Sequence, residues 1–212
     1  ASDVVDIEGM ITVAAREFDP VDIYVANAGI GGRPGLSASD ADWDVALNVN
    51  LLAHVRAARR LVPEWVERGN GYFISTASAA GLLTQLGSAI YSTTKHAAVA
   101  FSEWLNVTYG DDGVKVSCLC PMGVDTALLR PPTSPDNSDE MLMQAAVETA
   151  GRVLTPSEVA EVVLAAIADD HFLILPHPEV LDMYRNKGAD YDRWLRGMRR
   201  YQNTLRDQLT NA

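Results

Sequence analysis

Tyr91 and Lys95 are the pair in this sequence whose types and spacing could do chemistry. Residues four apart on a helix share one face. A free phenol, with a pKa of about 10, exchanges its proton poorly at neutral pH. A neighbouring ammonium favours the phenolate and lowers that pKa. The result is a tyrosine that can trade a proton with an alcohol or a ketone. The spacing alone is weak, because a surface tyrosine beside a solvated lysine shows it too. Its company strengthens it. Ile74-Ser75-Thr76-Ala77-Ser78-Ala79-Ala80-Gly81 leaves an apparent strand ahead of Tyr91, so Ser78 can meet the tyrosine at one reacting oxygen. Asn50 lies in Asn48-Val49-Asn50-Leu51 within a long helical pattern, Asn27-Ala28-Gly29 closes an earlier strand, and Pro121-Met122-Gly123-Val124-Asp125-Thr126 leaves a later one. All lie at or beside strand C-terminal ends, the edge at which open α/β sheets bind ligands.

The elements that must position these residues alternate between helix and strand, which predicts an α/β fold with a mostly parallel sheet. Ile7, Ile11, Ala14, Ala15 and Phe18 keep helical spacing after Asp6 as N-cap. Val21 to Ala26 reads as a strand, followed by a glycine- and proline-bearing loop. Ser39 with Asp42 forms a capping box ahead of a long helix through Trp43, Leu47, Leu51, Val55 and Ala58, bent near its end by Pro63. Gly71 to Ser75 and Val114 to Cys120 read as strands, with Tyr91 to Tyr109 helical between them. Arg130 to Asp139 is Pro/Ser/Asp-rich and reads as a mobile loop, with a short helix over Met141 to Ala150 after it. Thr155-Pro156-Ser157-Glu158 starts a helix running to about Ala168. Phe172 to Leu175 is a last strand. From Tyr191, one helical face carries Trp194, Met198, Tyr201 and Leu205, a stripe that reads as core or subunit contact.

Composition narrows the function. The chain has 212 residues, 48% of them hydrophobic, enough for one ordinary domain with a sizeable core. Its net charge of −11 opposes general nucleic-acid binding. The segment from Tyr184 is nevertheless basic, with seven Lys/Arg against three Asp, and contact with the acidic body or a sister subunit accounts for it. No apolar run is long enough for a membrane span. The four histidines show no metal-ligand spacing, and no Gly-x-Ser-x-Gly elbow supports a serine hydrolase. His96, next to Lys95, faces another way around its helix, and His177, between Pro176 and Pro178, reads as packing or a subunit contact. Cys118 and Cys120, two apart in a strand, read as reduced core residues, which agrees with a cytoplasmic location.

On these motifs, in this order, nearly the whole chain resembles the short-chain dehydrogenase/reductase family. The resemblance implies a three-layer, doubly wound Rossmann-type sheet as a single domain over 1–212, and hydride transfer between NAD or NADP and a secondary alcohol or ketone. It assigns the general acid/base to Tyr91 and the hydrogen bond to the substrate oxygen to Ser78. Lys95 lowers the tyrosine pKa and bonds the nicotinamide ribose, and Asn50 holds a water that extends the proton relay. Asn27, Ala28 and Gly29 lie along the cofactor. Pro121, Met122, Gly123, Val124 and Thr126 belong to the segment at its nicotinamide end, with Met122 where the family usually has glycine. Asp3 and Val4 match a strand-end pair whose aspartate faces the adenine.

The glycine-rich phosphate loop and the residue that chooses NAD or NADP do not occur. The expectation is that a first βαβα portion of about 60 residues, at roughly 30 for each βαβ unit, precedes Ala1. Leu82, Leu83, Leu86, Leu128, Leu129, Met141 and Met143 fall where the family places pocket and lid residues, which implies an apolar, medium-sized substrate. The helices near 47–68 and 91–109 imply a homodimer or homotetramer. A non-catalytic cofactor-sensing or scaffold relative is the alternative; the set Asn50, Ser78, Tyr91 and Lys95 speaks against it and the missing front for it.

Overall fold

The computed structural model describes residues 2–32, 35–129 and 138–211. Most of the loop expected over 130–139 lies outside them. Helix α1 (Val4–Glu17) begins earlier than Asp6. Asp3 is its N-cap, with extended backbone and a carboxylate oxygen accepting from the amides of Val5 (2.7 Å) and Asp6 (3.3 Å). Strand β1 (Ile23–Ala26) follows. The Ser39–Asp42 capping box then opens α2 (Asp40–Leu47) as the sequence predicts. The long helix is not one α-helix. A π-helical turn over Asn48–Leu52 separates α2 from α3 (Ala53–Arg68), and α3 runs through Pro63 to a left-handed Gly69. Strand β2 (Gly71–Thr76), α4 (Ala89–Tyr109) and β3 (Val114–Leu119) come next.

After α5 (Ser138–Ala150), the Thr155–Glu158 capping box and Pro156 start α6 (Pro156–Ala168). Strand β4 is only Leu173–Ile174. Helix α7 (Glu179–Ala189) has no counterpart among the predicted elements, while α8 (Tyr191–Thr210) does.

The four strands form one parallel sheet in the order β1-β2-β3-β4. The reversal of order that marks the doubly wound arrangement does not occur among them, so these strands are one winding of a Rossmann-type sheet. Helices still cover both faces. Phe73 of β2 and Val116 of β3 are register partners and pack with Ala57 and Leu61 of α3 and Leu105 of α4. Leu119 and Ile174, also partners, join Val159 and Ala166 of α6 in a separate cluster. Val116 and Leu119 are three apart, and alternation along a strand puts them on opposite faces. Helix α1 completes the α3 side through the buried Ile7 and Ile11. Along β1, Ile23 and Val25 stay half exposed at the sheet's edge.

Candidate active site

The C-terminal ends of β1, β2 and β3 open into one cleft of about 1330 Å³. Its floor is built from main chain. The Thr76 hydroxyl donates to Asn27 Oδ1 (3.0 Å), tying the ends of β1 and β2, and the Thr76 carbonyl accepts from Lys95 Nζ (2.9 Å). Two residues on, Ser78 caps a short 3₁₀ turn over Ala79–Gly81, its Oγ accepting from the Ala80 amide (3.1 Å) and donating to the Pro121 carbonyl (3.3 Å). That turn lies directly on α4. A Cβ on Gly81 would stand 2.5 Å from the Lys95 carbonyl oxygen, so only glycine permits the approach. The approach brings Ser78 close enough to Tyr91 to favour its phenolate, and both residues line the cleft.

Lys95 is 2% exposed and its Nζ sits 5.7 Å from the centre of the Tyr91 ring. Burial lowers its pKa to about 8. The Tyr91 pKa is raised, because burial of the hydroxyl outweighs the Ser78 hydrogen bond, and Cys120 pushes in the same upward direction. This differs from the depressed phenol the sequence predicts. The Lys95 ammonium gives one N–H to the Thr76 carbonyl and is itself disfavoured by burial, while the phenol is partly withdrawn from water.

Asn50, fully buried in the π turn, uses its side chain structurally. Oδ1 accepts from the Ile30 amide (2.8 Å), and Nδ2 donates to the Ile30 carbonyl (2.9 Å) and Thr94 Oγ1 (3.0 Å). It therefore fastens the loop after β1 to α4. Gly29 fits between the two groups: a Cβ there would meet Lys95 Nζ at 3.2 Å and Asn50 Oδ1 at 3.5 Å. One turn on from Asn50, His54 is buried with Nδ1 2.9 Å from Ser75 Oγ, and burial, then Lys95, lowers its pKa to about 4.

The structure thus brings most of the expected set together. Asn27, Ala28, Gly29, Ser78, Tyr91 and Lys95 line the cleft, as do Pro121, Met122, Gly123, Val124 and Thr126. Asn50 stands behind it. Asp3 and Val4 lie outside it, one capping α1 and the other beginning it. Of the pocket residues, Leu83, Leu86, Leu128, Leu129 and Met143 line the cleft. Leu82 instead turns into the core with Cys118 and Val180, and Met141 is not in the wall.

Sequence reasoning missed the far wall. Trp194, Met198 and Tyr201 of α8 and Met183 of α7 line it, although the stripe on α8 reads as core or subunit contact. Only Leu205 of that stripe is buried as core, against Leu142 and Ala146. The signal available was the stripe itself.

The cleft fits a dinucleotide's nicotinamide half. Among the described residues Lys95 gives one N–H to Thr76, leaving two for hydroxyls of a bound ribose. Gly29 and Gly123 let the cleft's main chain pack close against Lys95 and Asn50 and against Val147 and Val153. No group of three His, Cys, Asp or Glu among the described residues could hold a metal ion, and none of their helices is long and apolar enough to cross a membrane.

Residues 1–137 match the family pattern of the short chain dehydrogenases. This chain belongs to that family. An uncharacterized NAD-dependent oxidoreductase of Mycobacterium tuberculosis is 29% identical over 182 residues, covering 79% of this chain and 63% of its own length. A 1-deoxy-11-beta-hydroxypentalenate dehydrogenase of Streptomyces exfoliatus is 34% identical over 163 residues, covering 72% of this chain and 58% of its own. The crystal structure of a short chain dehydrogenase/reductase from Burkholderia phymatum in complex with NAD superposes with a TM-score of 0.79 at 28% identity, over 90% of this chain and 73% of that one. The chain therefore spans less than two thirds of the length of these two curated relatives.

Proposed function

We propose that this chain is part of the machinery of an oxidoreductase that uses NAD or NADP to interconvert a secondary alcohol and a ketone. One observation carries the reading: a serine and a half-buried tyrosine line one cleft at the carboxyl edge of a parallel sheet, with a buried lysine one helical turn on from the tyrosine. When bound, the nicotinamide would supply or take the hydride at the carbon that bears the oxygen. Tyr91 exchanges the proton on that oxygen. Burial keeps its phenol protonated at neutral pH, the form that donates to a ketone oxygen. Ser78 steadies the same oxygen. Lys95 holds the ribose with its free N–H groups and passes protons onward through a water beside Asn50. Because the Asn50 amide nitrogen is fully used, that water takes the main-chain carbonyl or the second lone pair of Oδ1.

The adenine end, toward Asp3 and Val4, rests on the family resemblance. Leu83, Leu86, Leu128, Met143 and Met198 give the substrate apolar walls, which supports a medium-sized apolar carbonyl compound. Trp104 and Val107 stand exposed on α4, 53% and 85%, and support a homo-oligomer built on that helix. The two buried, unbridged thiols agree with a cytoplasmic location.

Tyr91→Phe tests the mechanism. Turnover in a screen of secondary alcohols and ketones, read by absorbance of the reduced cofactor, is expected to fall about 10²–10⁴-fold, with NADH or NADPH binding within a few-fold of wild type. Unchanged turnover rejects the assigned acid/base.

A further inference from the structure

His177 is 2% exposed on the connection between β4 and α7. The Met122 amide donates to its Nδ1 at 3.1 Å, and its Nε2 stands 3.0 Å from the Arg152 carbonyl oxygen. A carbonyl only accepts and an amide N–H only donates, so these partners allow one state: neutral imidazole with its proton on Nε2. Pro176 and Pro178 flank it and fix two backbone φ angles, so the ring is presented from a stiff segment.

What the ring holds is the segment leaving β3. A bridge joins Val124 to Leu154, with Leu154 N–H on the Gly123 carbonyl (3.0 Å) and Asp125 N–H on the Leu154 carbonyl (2.9 Å). His177 ties the residues just before that bridge on both sides, Met122 and Arg152. The Met122 side chain reaches toward Gly151, next to Arg152. A Cβ on Gly151 would come 3.0 Å from the Met122 methyl and 2.7 Å from Glu179 Oε1. The Met122 main chain is thus anchored by His177 while the residue itself lines the cleft.

We propose that His177 is a positioning residue that sets the main chain of residues 122–126 through its Nδ1, and with it the cofactor-facing wall of the cleft. The consequence for the cofactor rests on the oxidoreductase reading; the positioning does not.

Two isosteric variants divide the ring's two bonds. His177→Asn keeps an acceptor where Nδ1 stood and loses the bond to Arg152. His177→Gln keeps a donor for Arg152 and loses the acceptor for Met122. Hydrogen–deuterium exchange over residues 121–126 and NADH and NADPH binding by fluorescence are measured on each. The Gln protein is expected to exchange the Met122 amide about tenfold faster and to bind the dinucleotide about tenfold more weakly, the scale of one lost hydrogen bond. The Asn protein stays within about twofold of wild type in both. Equal effects of the two variants, or unchanged exchange in the Gln protein, overturn the assignment. If the Gln protein does not fold, the Asn protein decides: wild-type protection of the Met122 amide supports it, and lost protection in the folded protein overturns it. A wild type that binds neither dinucleotide sinks the oxidoreductase reading, while the exchange pattern still judges His177.

Discussion

Two basic side chains, His54 and Lys95, are buried, and burial works against the charge on both. For His54 the folded pKa is about 4 against an ordinary 6.5. The unfolded chain therefore binds the proton first as pH falls, and the stability present above pH 6.5 is lost progressively toward pH 4. The whole effect amounts to about 3 kcal/mol by order of magnitude. Urea midpoints at pH 7 and pH 4.5 are expected to separate for wild type and to draw together for His54→Asn, which keeps an acceptor for the Ser75 hydroxyl. Equal separation in the two proteins rejects this source of acid sensitivity. Lys95, with a folded pKa of about 8 against 10.5, has the same sign in alkali, so its contribution rises with pH between those values. That Tyr91, Lys95 and Ser78 share one cleft was legible because each sits in a short motif whose spacing survives without tertiary information. Their proton affinities were not, since these depend on how much water the finished fold removes.

At the scale of elements, close approach of backbones decides the geometry. The Ala79–Gly81 turn touches α4 through Gly81, where an added Cβ meets rigid main chain at 2.5 Å. Gly81→Ala is expected to cost about 1–3 kcal/mol, the range of an overpacked core, and to lower turnover by moving Ser78. At Gly29 the added Cβ meets the end of a lysine at 3.2 Å, which can give way. Gly29→Ala should fold nearly as well as wild type and lose function through a displaced Lys95 ammonium. Thermal melts paired with turnover distinguish the two, and a Gly81→Ala protein as stable as wild type contradicts the packing argument. The start of α2 and that of α6 were readable because a capping box is a contact over three residues. The start of α1 was set one cap too late, at Asp6, since Asp3 offers the same carboxylate and the choice depends on which backbone is extended. The π turn was hidden, because its effect is to seat Asn50 between Ile30 and Thr94, two segments far off in sequence.

For the whole molecule, the cleft is closed by its most distant part. Helix α8 packs on α5 through Leu205, and the Tyr201 hydroxyl meets Thr149 (2.6 Å) and the Ala146 carbonyl (3.2 Å). This contact lays Met198 and Trp194 along the cleft's far side. The basic tail is thus held to the acidic body by apolar and hydroxyl contacts, and Arg193, Arg196, Arg199 and Arg200 stay exposed. Met198→Trp is expected to raise KM for a bulky apolar ketone about tenfold, roughly 1.4 kcal/mol of lost fit, and to leave KM for a small ketone within about twofold. An equal shift for both substrates removes α8 from the specificity wall.

By itself the sequence determined the alternation of helix and strand, several of the caps and the motifs at strand ends. Periodicity, capping and turn chemistry act over a few residues and leave their mark in composition. Only the tertiary structure decided that burial raises the Tyr91 pKa, that His177 is held in one tautomer, that Leu82 faces inward and that α8 walls the cleft. Each of these follows from groups far apart in the chain meeting where water is excluded, and no local pattern records such a meeting.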